Sequence, residues 1–475
     1  MMSLFNNIKK YNYFIIIFLL FIIFSKDNYF LINIIAFTLC YIILYLNNYD
    51  FTRLTSIFAI GHLLQYPFAS LLANSQEVYS AYVMDVDLYN QTGSSIGIMS
   101  IAMLGFNIGI ILFRKLFNFP LRIKKKPSLY DPINKTTIYL SFIFYIFYIF
   151  FAIITKTYFH STAGEYNVNN STNYGFIGYL YYFGLISIGL SFYNYILTKE
   201  KKDLFLFTLI FIFFEILILP SGQRRFIVLP IFVVCLLYFT YESITLKQFV
   251  LIFLITPILI FLLPILEYIR GDLNGFSFNE LLDSINYFSD KIIDPDTGAS
   301  PAFALFIRRL CDYPSIGYIY ELLSTNTITF YGFSDLIQSP LYILPTSLRP
   351  NLALSFAYDA EIMQNIGFRS DINGSSPLML VGDFLIRGGF FSVFLGFIVL
   401  GIIIDFASSF INTSSGHFKF LIWILLIDYF SMLHTMTILK VFTLLTRHLI
   451  IFYFLSIILT IISKNKLILK YNKHE

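Results

Sequence analysis

Twelve apolar runs, most of them long enough to cross a bilayer, constrain this chain more than anything else in it. A helical crossing takes about 17–25 mostly apolar residues. The runs occupy 11–25, 29–46, 54–73, 94–113, 137–155, 175–197, 204–220, 226–241, 248–266, 388–406, 419–438 and 441–463 of the 475 residues. They predict an all-α polytopic membrane protein with about twelve transmembrane helices. Composition agrees: 57% of residues are hydrophobic and 13% charged, where a soluble domain carries about a quarter charged. The apolar run that follows "NNIKK" has no small-residue cleavage site after it, so it reads as a retained first helix.

Lysine sets the orientation, because cytoplasmic loops collect positive charge. With the N-terminus inside, "RKLFNFPLRIKKKP", "TKEKKD" and the C-terminal "KNKLILKYNKHE" are all cytoplasmic, and 16 of 20 lysines lie inside. Both termini are then cytoplasmic. Three divisions follow: residues 1–266 with nine transmembrane helices, a large extracytoplasmic loop at 267–387, and residues 388–475 with three more helices and the tail. The large loop carries aromatic and aliphatic runs that predict partly helical structure. Loops of this length in a compact protein are usually functional.

Arginine departs from the lysine pattern. Eight of twelve fall outside: Arg224, Arg225, Arg270, Arg308, Arg309, Arg349, Arg369 and Arg387. The large loop holds one lysine, Lys291, and 14 acidic residues against seven basic ones, so it is no basic patch. Guanidinium offers a planar fork of donors that fits phosphate and carboxylate. Outward arginines at membrane level therefore suit a lipid-linked phosphate or pyrophosphate. A loop arginine can also pair locally, as Arg308 could with Asp312 or Arg270 with Asp272. Arg224 and Arg225 differ, since no acidic residue lies between Glu215 and Glu242. Their connection, "PSGQRR", breaks the helix at Pro220 and Gly222, and irregular backbone at membrane depth is tolerated where it lines a cavity. Snorkelling to headgroups is the competing reading, and it predicts free replacement by lysine.

Other chemistry is sparse. Asp85 and Asp87 form a D-x-D that could hold a metal or supply a base, or be a solvated loop; Asp294 and Asp296 sit in a turn, "DPDTG". The six histidines form no metal-binding pattern, although His448 beside Arg447 lies within a run. Glu215 and Glu267 stand at span ends, where they can mark the interface. Asp383 and Arg387 are spaced i,i+4. Cys40, Cys235 and Cys311 make no disulfide framework or zinc spacing. No phosphate-binding glycine loop or other cofactor motif occurs, and no basic stripe with interleaved aromatics favours nucleic acid.

The layout of about twelve spans, a late extracytoplasmic loop and a G-x-R-R turn resembles the Wzy-type oligosaccharide repeat-unit polymerases of O-antigen and capsule. These are related in architecture to O-antigen ligases and GT-C glycosyltransferases. In residues the resemblance rests on "SGQRRF" at 221–226, "LPTSLRPN" at 344–351 and "GDFLIRGGF" at 382–390. The loop lacks one spacing of some members, an arginine followed by glycine after 15 intervening residues. The resemblance implies a metal-independent, cofactor-free glycosyltransferase of the bacterial cytoplasmic membrane. It would move a glycan from undecaprenyl pyrophosphate onto a new lipid-linked oligosaccharide repeat unit. It also admits a chain-length regulator protein as partner. Arg224, Arg225, Arg349, Arg308 and Arg387 would hold the pyrophosphate, and Asp383, Asp272 or His434 would take the acceptor proton. Three alternatives fit the same residues: a GT-C enzyme using polyprenyl-phosphate sugars through Asp85 and Asp87, an O-antigen ligase, and a lipid-linked glycan transporter.

Overall fold

The computed structural model describes residues 30–63, 65–66, 88–121, 134–154, 180–218, 224–242, 314–343 and 378–413, with scattered positions at 362–366 and 423–453. The regular structure among these residues is helical, and no strand occurs among them. In chain order the elements are α1 (Phe30–Leu46), α2 (Leu54–Leu63), α3 (Leu88–Leu116), α4 (Lys135–Ile154), α5 (Tyr181–Thr198), α6 (Lys201–Ile218), α7 (Arg224–Tyr241), α8 (Pro314–Ser324), a 3-10 helix (Ser334–Ile343) and α9 (Leu380–Thr413). By length and composition, Gly93–Leu116, Lys135–Ile154 and Leu380–Ser409 can cross a membrane. Leu31–Leu46, Leu54–Leu63 and Leu229–Tyr241 are shorter apolar helices. The expected runs at 11–25 and 248–266 lie outside the described residues.

Each helix shows where it packs through the spacing of its buried residues. Helix α6 buries Asp203, Ile210, Phe214 and Ile218, a single stripe at helical period. Helix α4 buries one side and exposes Tyr139, Phe147 and Phe150 on the other. That exposure is expected where the surrounding solvent is hydrocarbon. Helix α5 is buried over nearly its whole circumference and packs against α4, α6 and α7. It ends at Lys199, whose left-handed backbone (φ 56°) lets its N–H reach the Tyr195 carbonyl, so α6 follows within two residues.

Helices α3 and α9 approach each other closely enough for their backbones to touch. A Cβ on Gly109 would fall 2.2 Å from the Ile398 carbonyl oxygen, and one on Gly401 would fall 2.4 Å from that of Phe106. Small residues at such a crossing let two backbones touch, which is how membrane helices gain packing energy without a hydrophobic driving force.

Helix α9 begins at Leu380, eight residues before the run read from the sequence, and continues to Thr413. The last residues assigned to the large loop are therefore helical. The start is favoured by Asp383 in the first turn, where a carboxylate meets the positive end of the helix dipole. The helix breaks at Gly388 and Gly389; Gly389 has φ 66° and ψ −159°, a conformation open to glycine alone. Elsewhere in 267–387, α8 and the 3-10 helix are the described elements.

Candidate functional site

Two polar clusters mark opposite ends of the bundle. The first gathers Lys135 and Lys199 and defines the lysine end of the bundle. Lys135 at the start of α4 lies 2.6 Å from Asp203 at the start of α6, and Lys199 pairs with Glu242 just after α7. Burial pushes the Asp203 carboxyl up, but hydrogen bonds from Lys135 and Thr198 outweigh it and leave the group below the ordinary carboxylate range. The Phe51 and Phe239 rings, 6.1 Å apart, bring the connection between α1 and α2 to the same end.

At this end Arg114 is 2% and Asp405 0% exposed. Arg114 donates from Nε to Asp405 Oδ2 at 2.7 Å and from Nη2 to Asp405 Oδ1 at 3.0 Å. It also donates to Asn47 Oδ1 at 2.6 Å and to the Leu46 and Leu121 carbonyls at 3.3 and 2.7 Å. One guanidinium thus ties α1, α3 and α9 together. Arg53 is buried nearby, with Nε and Nη1 lacking a hydrogen-bond partner. Burial lowers its pKa from the ordinary value, while Asp405 and Asp50 oppose that and Arg114 adds to it. These residues are far apart in sequence, and nothing local pairs Arg114 with Asp405.

The second cluster lies at the other end, at the head of α9. Arg387 Nε donates to Asp383 Oδ1 at 2.8 Å, and Nη2 donates to Asp335 Oδ2 at 2.8 Å. Nη1 reaches Asp335 Oδ1 and the Gly332 carbonyl, the latter at 2.9 Å. The guanidinium sits 5.8 Å from the Phe333 ring centre and 6.0 Å from that of Tyr331. Asp383 Oδ2 accepts from the Ile438 amide at 2.7 Å. The carbonyls of Ile386 and Arg387, beside the break in α9, accept from the Tyr331 and Gly332 amides at 2.9 and 3.1 Å. The i,i+4 spacing legible in the sequence is therefore an ion pair, and it joins three chain segments. A phosphate role for Arg387 or a base role for Asp383 would require this cluster to open. Asp335, which completes it, stands 52 positions from Arg387 and had no sequence signal.

Arg224 and Arg225 are the first two residues of α7. Their peptide groups belong to the first helical turn, where backbone N–H groups lack intrahelical partners and the dipole favours anions. This places both arginines at a helix N-terminus, an arrangement suited to phosphate. The positions Asp272, Arg308, Arg349 and His434 lie outside the described residues, as do Asp85 and Asp87. No group of three or more His, Cys, Asp or Glu that could hold a metal ion occurs among the described residues.

One acidic group takes on a different character in the structure. Glu215, read from sequence as an interface marker, lies in the last turn of α6 between the buried Phe214 and Ile218 and is itself only partly exposed. Its Oε1 is buried and has no hydrogen-bond partner.

A family model described as O-antigen polysaccharide polymerase Wzy matches residues 8–472, nearly the whole chain. No curated protein and no solved structure matches it. A match over nearly the whole chain shows that it belongs to the O-antigen polysaccharide polymerase Wzy family, membrane proteins that act on lipid-linked oligosaccharide repeat units.

Proposed function

We propose that the chain polymerises undecaprenyl-pyrophosphate-linked repeat units on the outer face of the bacterial cytoplasmic membrane, with the lysine end in the cytoplasm. The observation that carries this reading is the pair of arginines opening α7 in a chain matched over nearly its whole length by the polymerase family. The growing glycan is transferred from its carrier to the sugar of a new unit, and pyrophosphate leaves on the lipid. The leaving group gathers negative charge as the bond breaks. Fixed cations and helix N–H groups aimed at it lower the barrier without a metal. Arg224 and Arg225 take this role, with Arg308 and Arg349 of the large loop as further contacts. The Arg387–Asp383–Asp335 cluster has a positioning role, holding the head of α9 against residues 331–335. A chain-length regulator docks from outside the chain.

The alternatives separate on one measurement. Deleting the gene and sizing the surface glycan should leave single repeat units on their carrier. A ligase mutant would accumulate long lipid-linked chains, and a transporter mutant would export none. In the complemented strain, Arg224→Ala/Arg225→Ala should abolish polymer, and Arg224→Lys/Arg225→Lys should restore it only partly. Full-length polymer from the double alanine variant would return the pair to interface anchoring.

A further inference from the structure

We infer that Glu215 is the general base of the transfer, the group that takes the proton from the acceptor sugar. The inference rests on the polymerase reading and supplies the residue that reading lacks. Asp383 is a poor candidate in the described state, because both carboxylate oxygens already accept hydrogen bonds, one from Arg387 and one from the Ile438 amide. Glu215 is the opposite case. Oε1 is buried and accepts nothing. An acceptor stripped of water with no donor carries a desolvation cost that a substrate hydroxyl can relieve. An ionisable group within an apolar span is by default a candidate for function.

Its height in the bundle supports the assignment. Helices α6 and α7 both meet the lysine end, where Lys199, two residues before α6, pairs with Glu242, one residue after α7. At 1.5 Å per residue, Glu215 stands about 21 Å along α6 from Lys201, and Arg224 about 26 Å along α7 from Tyr241. The carboxyl-bearing residue therefore lies about one helical turn deeper than the arginine pair. Helices α6 and α7 are packing neighbours and consecutive in the chain, joined by residues 219–223. The level of Glu215 is further held by α4, whose Tyr145 ring stacks on Phe214 with centres 4.5 Å apart and whose hydroxyl donates to the Phe214 carbonyl at 3.2 Å.

The step balances as follows. The acceptor hydroxyl gives its proton to the Glu215 carboxylate as its oxygen bonds to the anomeric carbon of the donor glycan. The bond from that carbon to the pyrophosphate oxygen breaks, and its electron pair leaves on pyrophosphate beside Arg224 and Arg225. Glu215 then returns the proton to the departing pyrophosphate or to water.

The test uses the full chain in lipid nanodiscs, with polyprenyl-pyrophosphate-linked repeat units extracted from the deletion strain. Product ladders give turnover at varied substrate. Glu215→Gln should lower kcat by about 10²–10⁴-fold while KM stays within about threefold, the signature of a contact made in the transition state. Glu215→Leu, which suits an apolar helix, should lose as much, and Glu215→Asp should recover part of the rate. Turnover of the Gln or Leu variant within about tenfold of wild type would overturn the assignment, as would a loss carried by KM. A wild-type chain that elongates nothing would instead overturn the polymerase reading, and this inference with it.

Discussion

Replacing Asp405 with alanine removes the counter-ion of a guanidinium that is 2% exposed. Four charges meet at the lysine end: Arg53 and Arg114 against Asp50 and Asp405. Asp405→Ala leaves two cations facing one anion, with two Arg114 donors emptied. Breaking a buried pair by deleting one partner costs about 3–5 kcal/mol, and the second buried cation puts the expected loss in the upper half of that range. Arg114→Met/Asp405→Ala removes charge of both signs and leaves Arg53 with Asp50. The double variant also orphans the acceptors Arg114 served on Asn47, Leu46 and Leu121, so recovery should be incomplete, yet more than half of the single-variant loss. Unfolding free energies of the detergent-solubilised chain, measured as a double-mutant cycle, give the coupling directly. Polymerisation per folded molecule should be unchanged, because the cluster lies at the end opposite Asp383 and Arg387. A cost under about 1 kcal/mol for Asp405→Ala, or single losses that simply add in the double variant, would refute the reasoning.

Gly109→Val should prevent accumulation of folded protein, since its first carbon already collides with the Ile398 backbone at 2.2 Å and neither backbone can retreat without separating α3 from α9; yield and gel-filtration profile report it. Asp203 should govern part of the acid limb of stability. Its carboxyl is held below the ordinary range by Lys135 and Thr198, so its contribution is present above the unfolded-state pKa and lost as pH falls through the folded one. Asp203→Asn should flatten the fall of stability on acidification below the ordinary carboxylate range, and a curve parallel to wild type there would count against the pairing.

Much of the architecture is determined by the sequence alone, because lipid imposes rules that are local. Backbone groups in hydrocarbon must be satisfied within the segment, so an apolar run such as 137–155 can only be a helix, and it appears as Lys135–Ile154. The i,i+4 pair of Asp383 and Arg387 is legible for the same reason, since a helix brings those positions together whatever surrounds them. The sequence puts the arginine pair on the turn before residue 226, and the structure moves the helix start two residues earlier to include it. Tertiary structure alone decided which charges meet. Arg114 finds Asp405 across 291 positions, and Asp335 completes the Arg387 cluster from a segment with no local signal. The start of α9 at Leu380 was hidden because Asp383 and Arg387 interrupt the apolar pattern ahead of residue 388, whereas the fold pairs them and lets the helix begin there. Glu215 shows the division best. The sequence places a carboxyl near the end of an apolar helix, where water or lipid headgroups could equally satisfy it. Only packing determines that one of its oxygens is sealed from solvent with nothing to accept, and burial is a property of neighbours that the sequence does not put beside it.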